Sequence, residues 1–338
     1  MTTEMLAARL ALGERKLHLA TVPIPEPGPR EVRVEVAAAA VCLSDVHFID
    51  GSLTPPHLVG DVVTLGHEVA GTIDAVGPGV RGWRPGMRVV LLPGQIGADG
   101  AIVTRGADFD GGWAQFVIAR RDTLVRIPDE LPFEQAATIP DAVSTPWAAI
   151  TGTARVQPGE AVGVWGVGGL GTHAVQLLRI AGAALIVAVD PRATAREQAI
   201  SFGAHAAFAP DDPELPRFVT ERTRGRGLNA AFDFAGVPSV HGQALGLLGR
   251  FGRLVLVGMW DGPVTIPSGA ALSYYGQAVL GHLGSEVVHL ETLVAMAGRG
   301  ELDLSRSVGT VFDLADVGQA VERLRSGGHS HARLLLRP

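Results

Sequence analysis

Val162-Gly163-Val164-Trp165 runs directly into Gly166-Val167-Gly168-Gly169-Leu170-Gly171. The first four residues read as a buried strand, and the six that follow satisfy Gly-x-Gly-x-x-Gly. In a chain with 44 glycines the pattern alone means little. Its placement decides, because it leaves a strand and opens a helix expected over 172–181. Gly166 suits the tight turn, Gly168 lets a pyrophosphate approach the backbone, and Gly171 lets helix and strand pack closely, with phosphates at the helix N-terminus. Gly166, Gly168, Gly169, Leu170 and Gly171 are therefore candidate dinucleotide contacts. Asp190 ends the next strand, where a carboxylate can accept hydrogen bonds from both adenosine ribose hydroxyls. It would repel a 2′-phosphate, which favours NAD over NADP. Arg192 and Arg196 work against that preference, since either could neutralise a 2′-phosphate.

Working outward, strand and helix patterns alternate from Glu160 onward. Strands are expected at 185–189, 230–234 and 253–257, and a helix at 194–202 is ended by Gly203. Such alternation implies right-handed βαβ units and a parallel sheet. Before this, residues 1–125 read as short strands broken by turns. Glu31-Val32-Arg33-Val34-Glu35-Val36 alternates charged and apolar residues, the period of a half-buried strand. This is an all-β block, expected to form a small barrel, and residues 151–158 hand over to the nucleotide region. A late helix at 317–324, capped by Asp316, precedes a final strand at 332–336.

The chain has 338 residues, 18% charged and 47% hydrophobic, which fits a two-domain globular protein rather than a disordered one. Net charge is −6 with no basic run, so nucleic acid and anionic membrane are poor partners. The longest apolar stretch, 180–189, is too short to span a bilayer. The single cysteine cannot form an internal disulfide, and the acidic start Met1-Thr2-Thr3-Glu4 does not suit a signal peptide. A cytoplasmic protein is expected.

Gly66-His67-Glu68-Val69-Ala70-Gly71, followed by Gly77 and Val80, lies downstream of Cys42-Leu43-Ser44-Asp45-Val46-His47. A thiolate and an imidazole are ligand types that zinc prefers, and a catalytic site needs three protein ligands plus an open position. Together these motifs resemble the zinc-dependent alcohol dehydrogenases of the medium-chain dehydrogenase/reductase superfamily, and the resemblance runs end to end. It implies an α/β architecture with a GroES-like β-barrel catalytic domain (1–147), a doubly wound Rossmann coenzyme domain (148–285) and a return to the catalytic domain (286–338).

The resemblance also implies roles for individual residues. Cys42, His67 and an acid near the domain junction, Asp141, would ligate one catalytic zinc per chain; Glu68, beside the metal, exchanges with the bound water in some relatives, and whether it or Asp141 is the resting ligand is left open. For Asp141 a helix N-cap is the competing role. Ser44 would hydrogen-bond the reacting oxygen, His47 would carry its proton away, and Asp45 would fix the ligating imidazole. Arg333 would reach the coenzyme pyrophosphate, and the 257–258 and 283–284 backbone (Val257, Gly258, Leu283) its carboxamide. Relatives are dimers or tetramers, and 262–285 is the expected interface.

Two departures from the family pattern stand out. The 93–112 loop has no cysteine, so the four-cysteine structural zinc of many relatives is not expected. Leu43 replaces the His or Arg that contacts the coenzyme phosphate in many relatives. Phe48, Trp113, Trp147, Trp260 and Leu283 are candidate pocket walls, which would suit a hydrophobic secondary or aromatic alcohol or its ketone. The alternatives are a zinc-free NADPH-dependent quinone or enone reductase and a non-catalytic nucleotide-binding protein. Neither alternative explains why Cys42, His67 and Asp141 occur together.

Overall fold

The computed structural model describes residues 3–97, 99–259, 261–327 and 332–338. Trp260 lies outside them. The chain divides into two compact units, one of residues 1–144 with 284–338 and the other of residues 145–283.

The first unit is the β-barrel unit. Its central strand, Glu31–Val41, continues the expected alternation: Val32, Val34 and Val36 point into the core, and Ala38–Val41 are buried too. This strand pairs antiparallel with Glu68–Val76, Arg333–Arg337 and Phe116–Arg120. The registers place Ala40 opposite Glu68 and Val41 opposite Leu334. Three neighbouring strands therefore end together, which brings Cys42, His67–Glu68 and Arg333 to one place.

One helix interrupts the block that the sequence reads as all strand. Leu43–Asp50 has Cys42 as its N-cap and ends at Gly51 in the left-handed region. Asp45 at the third helical position closes the first turn by accepting the Cys42 N–H at 2.8 Å. The capping geometry explains the helix where periodicity did not reveal it.

The second unit is built on a six-stranded, all-parallel sheet. In spatial order its strands are Ala206–Phe208, Leu185–Val189, Ala161–Trp165, Leu228–Asp233, Leu248–Leu256 and Ala278–Gly281. Numbered along the chain that order is 3-2-1-4-5-6, the doubly wound dinucleotide fold. Every residue of Leu185–Val189 is buried, as helices on both faces of a parallel sheet require. The short edge strands 206–208 and 278–281 and the helices Glu214–Arg222 and Pro238–Leu247 were not expected from the sequence.

Other differences have local causes. The helix after the glycine-rich turn begins at Gly169, three residues earlier than expected. Asp316 makes no side-chain cap, because the 3-10 turn Leu314–Asp316 feeds the helix directly and its carboxylate accepts the Gln319 side-chain amide instead. Trp113 is fully enclosed in the barrel core, with its indole N–H donating to the Ala40 carbonyl at 3.1 Å. It is a core residue rather than a pocket wall. Phe48 packs against the same core. No described helix is long and apolar enough to cross a membrane.

The cysteine-free 93–112 loop is held by carboxylates. Asp108 accepts the N–H groups of His57 at 2.9 Å and Thr104 at 2.8 Å, and Asp110 accepts that of Thr64 at 2.7 Å. These tie the loop to the segment leading into Gly66.

Candidate metal and nucleotide sites

In the barrel unit, Cys42, His67 and Asp141 each aim a ligand atom at a common point, with all three atoms within 4.8 Å of one another. Cys42 Sγ lies 3.6 Å from Asp141 Oδ2, and His67 Nε2 lies 3.6 Å from the same oxygen. Zinc bonds of about 2.3 Å to sulfur and about 2.0–2.2 Å to oxygen or nitrogen, at tetrahedral angles, would separate such donors by about 3.4–3.6 Å. The two separations to Asp141 match zinc, and Cys42 and His67 lie within 4.8 Å of each other.

Asp141 sits in the π-helical turn Ile139–Val143, whose N-cap is Thr138, so it is not a cap itself. The widened turn is a departure of the kind that often marks functional positions.

The surrounding groups hold the cluster. Asp45 is fully buried, with Oδ1 3.4 Å from His67 Nδ1; this is within ion-pair reach, though too poorly aligned for a good hydrogen bond. It sits where a carboxylate fixes a ligating imidazole through its other nitrogen. Burial pushes the His67 pKa down, but Asp45 and Asp141 outweigh it and hold the imidazole well above its ordinary value. A metal must therefore displace a proton to bind, as metals at such sites do.

Glu68 is also fully buried, and its Oε1 accepts the Ala142 N–H at 2.7 Å. Burial lifts its carboxyl, and the Arg333 guanidinium pulls against that lift. Ser44 and His47 are half-buried on the Leu43–Asp50 helix, whereas Leu43 is half exposed. His47 Nδ1 pairs with Ser52 Oγ at 3.0 Å, and Ser52 Oγ donates to the exposed Asp50.

Arg333 departs from its expected role. Its guanidinium is buried inside this cluster, with Nη2 3.1 Å from Glu68 Oε1, 3.2 Å from Asp141 Oδ2 and 3.5 Å from Cys42 Sγ. All three contacts are made by the one nitrogen, Nη2, which is thereby turned to the metal cluster.

In the second unit, Gly166 has φ +84°, and a Cβ there would lie 2.7 Å from Ala235 N. A Cβ on Gly171 would lie 1.9 Å from the Gly166 carbonyl oxygen. Gly168 faces open space and caps the Gly169–Ile180 helix with no side-chain bond to its first N–H groups. A free helix N-terminus beside an open glycine fits a pyrophosphate.

Asp190 is buried at the end of its strand. Its Oδ2 accepts the Val167 N–H at 2.8 Å, and Arg192 forks onto both oxygens at 3.0 Å. Burial would raise its pKa, but these hydrogen bonds prevail and keep it below the usual carboxylate range. Arg196 donates instead to the Asp190 and Pro191 carbonyls. The N–H groups of Val257 and Gly258 both donate to the Asp233 carbonyl.

Sequence reasoning missed Asp233. Its Oδ1 accepts the N–H groups of Ala235 and Gly236, both at 2.9 Å, and so fixes the turn packed against Gly166. A buried acid ending a strand was the available signal. Leu283 is largely exposed, and Trp147 is half-buried.

Residues 28–129 match the alcohol dehydrogenase GroES-like domain, and residues 169–297 match the zinc-binding dehydrogenase domain. An NDMA-dependent alcohol dehydrogenase of Amycolatopsis methanolica is 31% identical, covering 89% of this chain and 91% of its own. This chain belongs to the zinc-type medium-chain alcohol dehydrogenases. The crystal structure of an Aeropyrum pernix alcohol dehydrogenase is 31% identical with a TM-score of 0.88, covering 98% of this chain and all of that one. The 2R,3R-butanediol dehydrogenase of Bacillus subtilis is 26% identical with a TM-score of 0.89 over 99% of both chains. The enzyme is therefore an oxidoreductase acting on small molecules, with the GroES-like and Rossmann-type fold of the family.

Proposed function

We propose that the protein oxidises an alcohol to an aldehyde or ketone, reversibly, using one zinc on Cys42, His67 and Asp141 and NAD on the 166–171 loop. The observation that carries this is the gathering of a thiol, an imidazole and a carboxylate, donors of the types zinc prefers, within 4.8 Å of one another. When bound, zinc would supply a Lewis acid that lowers the pKa of a hydroxyl, and NAD would supply a hydride acceptor. The chain's own residues do the rest. Asp45 fixes the His67 ring, Ser44 hydrogen-bonds the reacting oxygen, and His47 passes its proton through Ser52 towards the exposed Asp50. A hydrophobic secondary or aromatic alcohol is the proposed substrate class, resting on the positions of Phe48, Trp147 and Leu283 in the sequence. The edge strand Ala278–Gly281, paired on one side only, is the proposed site where two copies meet in a dimer or tetramer.

The test is elemental analysis of purified protein together with an alcohol and ketone screen. About one zinc per chain with NAD-linked turnover is expected. A chain that stays zinc-free after incubation with zinc would move the reading to the quinone or enone reductase.

Arg192, which forks onto Asp190, is the group through which NADP would be accommodated. If Asp190 reads the ribose, Asp190→Ala removes charge-assisted hydrogen bonds worth about 1.5–3 kcal/mol. The KM for NAD should then rise about 10–100-fold while that for NADP hardly changes. Arg192→Ala should weaken NADP and spare NAD. Equal losses with both coenzymes on Asp190→Ala would show that Asp190 only anchors the loop through Val167.

A further inference from the structure

The metal site holds one anion more than it needs. A catalytic zinc takes three protein ligands and keeps its fourth position open. Around this site stand Cys42, His67, Asp141 and, next in sequence to His67, the fully buried Glu68. Glu68 Oε1 and Asp141 Oδ2 are bonded by the same Arg333 nitrogen, at 3.1 and 3.2 Å, so the spare carboxylate lies close to a ligating one. A dication in a water-poor pocket attracts any carboxylate that can reach it. Something must therefore restrain Glu68.

Two donors hold it. The Ala142 N–H takes Oε1 at 2.7 Å, from the same turn that carries Asp141. Arg333 covers both oxygens, with Nη2 on Oε1 and Nε 3.1 Å from Oε2, the second contact close but poorly aligned as a hydrogen bond. Without the guanidinium, Oε2 would have no cation and the Ala142 N–H would be the remaining restraint. Charge balance agrees. Counting the buried Asp45, a thiolate and three carboxylates already exceed zinc plus one guanidinium, and removing the guanidinium widens that excess beside the metal.

We propose that Arg333 is a positioning residue that holds Glu68 off the metal, so that the fourth coordination position stays open to substrate. This rests on the zinc reading above.

The test compares the wild type with Arg333→Gln, by zinc competition against a chromophoric chelator and by the visible spectrum of the cobalt(II)-substituted protein with and without imidazole. In Arg333→Gln, Glu68 should become a fourth ligand. Zinc should then bind about 10–100-fold more tightly, the scale on which groups around metal ligands act. The cobalt bands, which should shift with imidazole in the wild type, should no longer respond. The Glu68→Gln/Arg333→Gln double variant removes both buried charges and should recover wild-type affinity and the imidazole shift.

Zinc binding no tighter than wild type in Arg333→Gln, with bands that still shift, would overturn the proposal. So would a double variant that stays as tight as the single, since repulsion alone would then explain the gain. Should Arg333→Gln not fold, Glu68→Gln alone decides. Cobalt bands that keep their wild-type form and their imidazole shift support a Glu68 held off the metal, and bands that change their form mean that it already ligates. A wild type that takes up no zinc sinks the metal reading and this inference together, whereas a one-zinc wild type with the overturning results sinks the inference alone.

Discussion

Cys42→Ala should remove zinc from the protein and reduce alcohol oxidation by on the order of 10³-fold or more, since a Lewis acid contributes several kcal/mol to such a step. Cys42 supplies the one thiolate of the set. Its loss leaves His67 and Asp141 facing a gap, with Arg333 still 3.2 Å from Asp141 and opposing a dication. Two neutral-to-anionic donors beside a guanidinium make a poor zinc site. The variant should still fold, because the strand registers and the Cys42 N–H to Asp45 bond are backbone features that alanine preserves. It should still bind NAD as well, because the glycine-rich turn and Asp190 lie in the other compact unit. The check is zinc per chain, NAD affinity by fluorescence titration and turnover, all on one preparation. Normal turnover in a zinc-free Cys42→Ala protein would sink the proposed mechanism.

Sequence legibility followed how local each signal is. The 166–171 turn could be read because three glycines and the preceding strand are contiguous, and the physics of each glycine is set within the motif. Glu31–Val41 could be read because alternation is a property of the strand itself. Cys42, His67 and Asp141 were legible as ligand types at a family spacing, although only the strand registers could show that they converge.

The surroundings of Arg333 could not be read because they depend on long-range pairing. It opens a strand that meets Val41 almost three hundred residues away, and nothing near it in sequence announces three anions. Trp113 could be read only as pocket wall or core for the same reason, as an aromatic residue in a glycine-rich loop reads alike in either place. Asp316 failed at a finer scale, where a single 3-10 turn replaced the extended geometry that a capping side chain needs.

Gly66→Ala should strongly destabilise the barrel unit. Gly66 has φ +95°, and a Cβ there would lie 2.2 Å from Trp113 Cδ1 and 2.8 Å from the Trp113 backbone N. Neither group can move cheaply. Trp113 N–H donates to Leu65 at 2.9 Å, Gly112 N–H donates to Gly66 at 2.8 Å, and the indole is fixed on Ala40. Gly106 and Gly111 pass so close that a Cβ on either would lie 2.7 or 2.3 Å from a Gly66 backbone atom. A left-handed conformation costs an L-residue about 1–2 kcal/mol and overpacking a core about 1–3 kcal/mol, so a loss of roughly 2–5 kcal/mol is expected. Urea unfolding monitored by tryptophan fluorescence would measure it, and a loss under about 1 kcal/mol would show that the loop can yield. Because His67 is the next residue, strain that the fold survives should shift the imidazole off the zinc position. Zinc affinity should then fall along with stability, while NAD binding on the other unit stays unchanged. That pairing of losses separates a displaced metal ligand from general unfolding, which would take zinc and cooperativity together.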